Sequence, residues 1–133
     1  MVLTVQPFHV QYMMSFKGLV DNAFIIVYVW AVIADIVTGW VKSLRKKNTN
    51  STKGLNGLLK HSVLMLIILT LYPILDVLGW KNTADALVVF YVLFYLVSII
   101  ENLGQMGLPV PEWIKRYLYK LSDEYNAGTK DKK

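Results

Sequence analysis

The chain reads as an all-α membrane protein, with three transmembrane helices (N-terminus out, C-terminus in), a C-terminal amphipathic interfacial helix and a short N-terminal one. Three observations predict this. Apolar runs lie at 23–41, 62–79 and 85–100, and at about 1.5 Å per helical residue each covers about 24 to 29 Å, short to adequate for a hydrocarbon core of about 30 Å. Hydrophobic residues make up 55% of the 133 positions and charged ones only 17%, which leaves too little polar surface to clothe a soluble domain of that size. The basic residues are unevenly placed. Lys17 precedes the first run, and Lys42, Arg45, Lys46, Lys47, Lys53 and Lys60 lie between the first and second. Lys81 alone separates the second from the third, and six follow it. Positive-inside reasoning puts the 42–61 loop and the C-terminal tail in the cytoplasm, and the N-terminus and Lys81 outside.

One membrane domain, 1–133, accounts for the whole chain, without internal repeats. The net charge of +5 follows from basic residues beside an anionic inner leaflet, so nucleic acid is not needed as a partner. No cysteine is present, which excludes disulfides, thiolate metal sites and cysteine nucleophiles.

Within 1–22, Phe8, Tyr12, Met13, Phe16 and Leu19 mark an apolar stripe for a short interfacial helix after Pro7. No cleavable signal is legible, so the first apolar helix, 23–41, is expected to serve as its own insertion signal. That helix is apolar except for Asp35, Thr38 and the small residues Ala31, Ala34 and Gly39. Positions 31, 35, 38 and 39 follow helical spacing, so Asp35 points where Ala31 and Gly39 permit close approach of another helix. An ionised Asp near a helix centre costs about 2.5 to 3.5 kcal/mol to insert. Two readings follow: Asp35 snorkels or bonds to Lys42, or it serves an interhelical or pore-facing role in a homo-oligomer.

The 42–61 stretch, with Asn48 to Gly57 polar and punctuated by Gly54 and Gly57, is expected to be a flexible cytoplasmic loop. It lacks a phosphate-loop pattern. The second span, 62–79, holds Pro73 and Asp76 in its outer half. Proline removes a helical hydrogen bond and frees the carbonyl near Leu69, which Thr70 or a partner can satisfy, so Pro73 reads either as a plain kink or as a gating hinge. With only Lys81 to Thr83 before the next segment, spans two and three should form a tight antiparallel hairpin. The third, 85–100, is bulky and aromatic (Phe90, Tyr91, Phe94, Tyr95) and suits packing. Glu101 falls at the cytoplasmic boundary, within reach of Lys60 or His61. After Pro109, Pro111 suits the first turn of an amphipathic helix over 111–122. Its Trp113, Ile114, Tyr117, Leu118 and Leu121 recur on one side, with Lys115 and Arg116 toward lipid phosphates. Residues 123–133 read as a solvated, mobile tail. Trp40, Trp80 and Trp113 suit anchoring at headgroup level.

No catalytic constellation is visible. His9 and His61 fall on opposite sides of the membrane without metal-ligand neighbours, and the carboxylates lie at different depths. The reading is therefore not an enzyme, with no cofactor, metal or small-molecule substrate.

Asp35-Ile36-Val37-Thr38-Gly39 before a lysine-rich loop, then Ser51 to Lys60 (STKGLNGLLK), then Ser98 to Gly104 (SIIENLG) and Gly107 to Pro111 (GLPVP) before a basic amphipathic end, resemble the toxin-secretion and phage-lysis holin family over about 20–121. The resemblance implies a small phage protein of the host bacterial cytoplasmic membrane that self-associates and opens lesions releasing a cell-wall-degrading endolysin. It also implies Asp35, Thr38, Gly39, Lys53, Gly54, Gly57, Glu101 and Asn102 as the motif positions. Some family members export toxins instead. A small ion channel, an accessory membrane subunit and an antiholin-like regulator are the competing readings.

Overall fold

The computed structural model describes residues 5–47 and 50–130, the side chains of residues 122 and 125–130 excepted. It is all-helical. The helices are α1 (Phe8–Gly18), α2 (Ala23–Arg45), α3 (Ser51–Val77), α4 (Lys81–Gln105) and α5 (Glu112–Lys130), with a 3-10 turn, Leu19–Asp21, between the first two. Helices α2, α3 and α4 are each long and apolar enough to cross a membrane.

Local chemistry explains the boundaries. Asn22 caps α2, its Oδ1 accepting from the N–H groups of Phe24 (2.9 Å) and Ile25 (3.3 Å). Asn50 caps α3 by accepting from Thr52. Gly79 and Gly107, with φ of 83° and 77°, end α3 and α4 in the left-handed region that glycine adopts without penalty. The N–H of Trp80 then closes on the Leu75 carbonyl at 2.8 Å, and that of Leu108 on Leu103 at 3.1 Å.

The flexible 42–61 loop is mostly absent. Helix α2 continues to Arg45 and α3 begins at Ser51, which leaves a short connection. Gly54 and Gly57 each cost about 1 kcal/mol relative to alanine, too little to halt a helix that Asn50 caps and the 62–77 run propagates. Likewise α5 runs through Lys130, where a mobile tail was expected from 123. Nothing after Pro111 lacks a backbone N–H, so the ladder propagates; residues 131–133 lie outside the described ones. Helix α3 also runs on through Pro73, which is fully buried, and the Thr70 hydroxyl bonds to the Leu66 carbonyl at 2.7 Å rather than turning toward Leu69.

Packing differs from the expected hairpin. The closest helix pair is α2 on α4, whereas α3 touches both more lightly and carries α1 along its C-terminal half; the end of the bundle that holds Lys81 is termed outer and the end that holds Lys42 inner, as labels for the ends alone. The small side chain of Ala31 and the bare backbone of Gly39 let α2 approach α4, and Ala84 does the same from the other side; Ala31 and Ala84 are fully buried. Between the helices Tyr28, Val32, Val88 and Tyr95 form the core, with Ile68 and Tyr72 from α3. Tyr28 and Tyr95 meet edge to face, with centroids 6.0 Å apart. The outward faces of α2 and α3 carry exposed Trp30, Ile33, Val37, Leu66 and Ile67, as a helix bundle bathed in lipid requires.

Candidate functional site

Two polar clusters interrupt the apolar bundle, one near each end. The inner one is built on the α2 face chosen by sequence. Asp35 is buried, only 6% exposed. Its Oδ1 accepts from Asn102 Nδ2 at 3.2 Å, and the same nitrogen donates to Thr38 Oγ1 at 3.2 Å. Asn102 Oδ1 accepts from Lys42 Nζ at 2.6 Å. The amide orientation is dictated by these neighbours, because reversing it would set its oxygen against a carboxylate and its NH₂ against an ammonium. Asn102 thus stands between acid and base, and Lys42 reaches Asp35 through it. One turn further in, Arg45 donates to the Met106 carbonyl at 2.6 Å.

His61 joins the cluster from α3. Its Nε2 lies 3.7 Å from Asp35 Oδ2 and its Nδ1 3.1 Å from the Tyr95 hydroxyl. With Tyr95 donating to Nδ1 and Nε2 carrying the proton, a neutral ring suits both neighbours; a protonated ring makes an ion pair with Asp35.

The outer cluster ties four elements together. The Tyr72 hydroxyl donates to Asp85 Oδ1 at 2.5 Å and accepts from Asn22 Nδ2 at 2.8 Å. Lys81 pairs with Asp85 at 3.2 Å, lies 3.3 Å from the same hydroxyl and stands over the Tyr72 ring. Ser15 donates to Asp76 Oδ2 at 2.5 Å and Tyr12 to the Thr70 carbonyl at 3.3 Å, which straps α1 along α3.

The structure therefore gathers Ala31, Asp35, Thr38 and Gly39 on one face and sets Asn102 against it from the same chain. Asp35 is already partnered in a single copy. Gly39 is closest to Asn102, whose Nδ2 would lie 3.8 Å from an added Cβ. Lys53 is exposed, and Gly54 and Gly57, half-buried on the inner part of α3, stand apart from the cluster. Glu101 is exposed and meets the Tyr119 hydroxyl at 3.5 Å; of the two partners expected for it, Lys60 is exposed and His61 faces Asp35. Trp40, Trp80 and Trp113 are all exposed. The aromatic side foreseen for the last helix is divided: Leu118 is buried and Ile114 half-buried, whereas Trp113 and Tyr117 point outward with Arg116. Lys115 pairs with Glu112 at 3.3 Å.

Sequence reasoning offered Lys42 as a partner for Asp35 but placed His61 beside Glu101, and it missed the roles of Tyr95 at the inner end and of Asn22, Tyr72 and Lys81 at the outer end. The available signal was the rule that polar groups inside apolar spans sit where other polar groups meet them. Among the described residues no group of three or more His, Cys, Asp or Glu is placed to hold a metal ion.

Comparison with known proteins bears on what such a bundle is for. The bacteriophage holin family model matches residues 11–123. The chain belongs to that family. This holin-family chain is similar to an uncharacterized protein of Listeria innocua (32% identity, 79% of each chain) and to an uncharacterized 14.9 kDa protein of Clostridium perfringens (29%, 70% of this chain and 72% of that one). It is also similar to a probable holin of Bacillus phage phi105 (26%, 73% of each chain). No solved structure matches it. Family and spans together make it a multi-pass membrane protein of a pore-forming family rather than an enzyme family.

Proposed function

We propose that this chain is a phage holin: it accumulates in the host cytoplasmic membrane, associates with its own copies and opens lesions through which an endolysin reaches the cell wall. The observation that carries this reading is the family match over 11–123, which takes in all three apolar helices. The physical rationale lies in the inner cluster. A carboxylate, an ammonium and an amide closed upon one another between α2 and α4 are tolerable in lipid, and the same groups can turn to water or to a second copy once the helices part. The α2 face of Ala31, Asp35, Thr38 and Gly39 is then the pore-facing and oligomer-forming surface, exchanging α4 of its own chain for a neighbour or for solvent.

Orientation follows the charges, with α5 and the 46–50 connection in the cytoplasm and Lys81 outside. Trp40, Trp80 and Trp113 then anchor the bundle at the headgroups, and Lys115 and Arg116 lie near inner-leaflet phosphates.

The test is expression in a bacterium together with a cytoplasmic endolysin. Abrupt culture clearing after a delay is the expected result. Ion leakage without clearing indicates a narrow channel, and absence of clearing together with delay of a known holin indicates a regulator; either outcome replaces this reading.

A further inference from the structure

We propose that His61 is a positioning residue that latches the inner half of α3 to the α2–α4 pair, and that its release is the step that opens the inner end of the bundle. The second half of this inference rests on the lesion-forming reading above.

The distribution of burial along α3 is the starting point. Its buried residues, Ile68, Tyr72 and Pro73, all belong to the outer half. Over Ser51 to Ile67 none is buried, and Leu55, Leu59, Leu66 and Ile67 are exposed. Gly54 and Gly57 share the inward side with His61, at i, i+3 and i+7, yet a Cβ added at either glycine meets nothing within 4 Å. The part of α3 ahead of His61 therefore lies beside a gap, and packing against the core begins only at Leu64 and Met65.

Across that gap His61 reaches both helices at once, α2 through Asp35 and α4 through the Tyr95 hydroxyl, with its ring 5.5 Å from that of Tyr95. The neighbouring Ser62 turns back instead, its hydroxyl donating to the Leu58 carbonyl of its own helix at 2.9 Å. A hydrogen-bonded contact is worth about 0.5 to 1.5 kcal/mol net, so losing it shifts a closed-to-open ratio by about two- to tenfold. That is enough to change the timing of a cooperative event without unfolding a bundle whose core lies elsewhere.

The chain has no cysteine, so spin labels go only where they are placed. Lys60→Cys and Gln105→Cys put one on the inner half of α3 and one at the inner end of α4, both at exposed positions. Their separation is measured in phospholipid vesicles. In the His61→Ala background the distribution is expected to broaden and to lengthen by about 10 Å, one helix diameter. His61→Phe keeps a ring beside Tyr95 without polar contacts and should behave like Ala, whereas His61→Gln keeps a donor and an acceptor and should restore the original distribution. An unchanged distance in His61→Ala, or a His61→Phe variant that matches the unsubstituted chain, overturns the latch. With endolysin present, His61→Ala should bring lysis forward. A widened pair with unaltered lysis onset overturns release as the opening step. Failure of the unsubstituted chain to lyse cells refutes the lesion-forming reading instead and leaves the spin-label distances to judge the latch.

Discussion

The two ends of this bundle are built on opposite plans. At the outer end Asn22, Tyr72, Lys81 and Asp85 interlock the starts of α2 and α4 with the end of α3, while Ser15 and Asp76 strap α1 alongside. Four elements converge there, and every buried residue of α3 lies in that half. At the inner end α2 and α4 remain tightly joined through Asp35, Asn102 and Lys42, but α3 meets them only with half-buried side chains, His61 and then Leu64 and Met65. The difference teaches where such a bundle can yield. Polar networks anchored on buried residues of every helix they join rigidify, whereas a segment with few buried contacts belongs to the low-stability end of the molecule. Under the lesion-forming reading proposed above, a hole that starts at the inner end requires the second property, and retention of the fold while it forms requires the first.

That contrast can be broken at its strongest point by Asn102→Leu. The change leaves Asp35 and Thr38 without their shared donor and Lys42 without its acceptor, and it should destabilise the protein by on the order of 2 to 3 kcal/mol, read as a lower melting temperature in detergent micelles and reduced accumulation in the membrane. Tyr72→Phe comes next. It deletes the hydroxyl at the centre of the outer network at a cost of about 1 to 2 kcal/mol, and it should lower the melting temperature while leaving the inner-end spin-label separation unchanged. Were that separation to widen, the two ends would be one cooperative unit. Ser15→Ala removes one strap of α1 and should cost about 1 kcal/mol, seen as faster proteolysis in the first twenty residues with little change in global melting. The smallest effect belongs to Tyr28→Phe. The Tyr28 hydroxyl is buried without a hydrogen-bond partner among the described residues, so its removal should be neutral or stabilising by up to about 1 kcal/mol. Gly39 offers a graded control. An alanine there meets only ordinary contact with Asn102 and should lyse normally, whereas leucine should push α2 off α4 and alter lysis timing.

Much of this architecture was legible because lipid simplifies the code. Apolar length marked the three crossing helices, and the spacing of Ala31, Asp35, Thr38 and Gly39 marked a single α2 face; both follow from helical geometry alone. What could not be read was which helix would meet that face. Asn102 lies 67 residues from Asp35, and no local pattern ties the two. The 42–61 region misled for a different reason: glycine and asparagine lower helix propensity but do not abolish it, and Asn50 is as good a helix start as a loop residue. Tyr95 was counted as bulk and Tyr72 passed over, because a tyrosine in an apolar run reveals its ring in the sequence and its hydroxyl's partner only in three dimensions.

The brevity of the connection between α2 and α3 has a consequence for scale. Between Arg45 and Ser51 only residues 46–50 intervene, and at about 3.5 Å per residue a fully extended chain of that length reaches about 20 Å. However far α3 swings, its N-terminal tip stays on that leash. A folded enzyme is wider than the leash is long, so no one molecule can make room for it by unhinging. If the chain opens lesions as proposed, the rim of a passage that large has to be shared among many chains, each contributing a small arc.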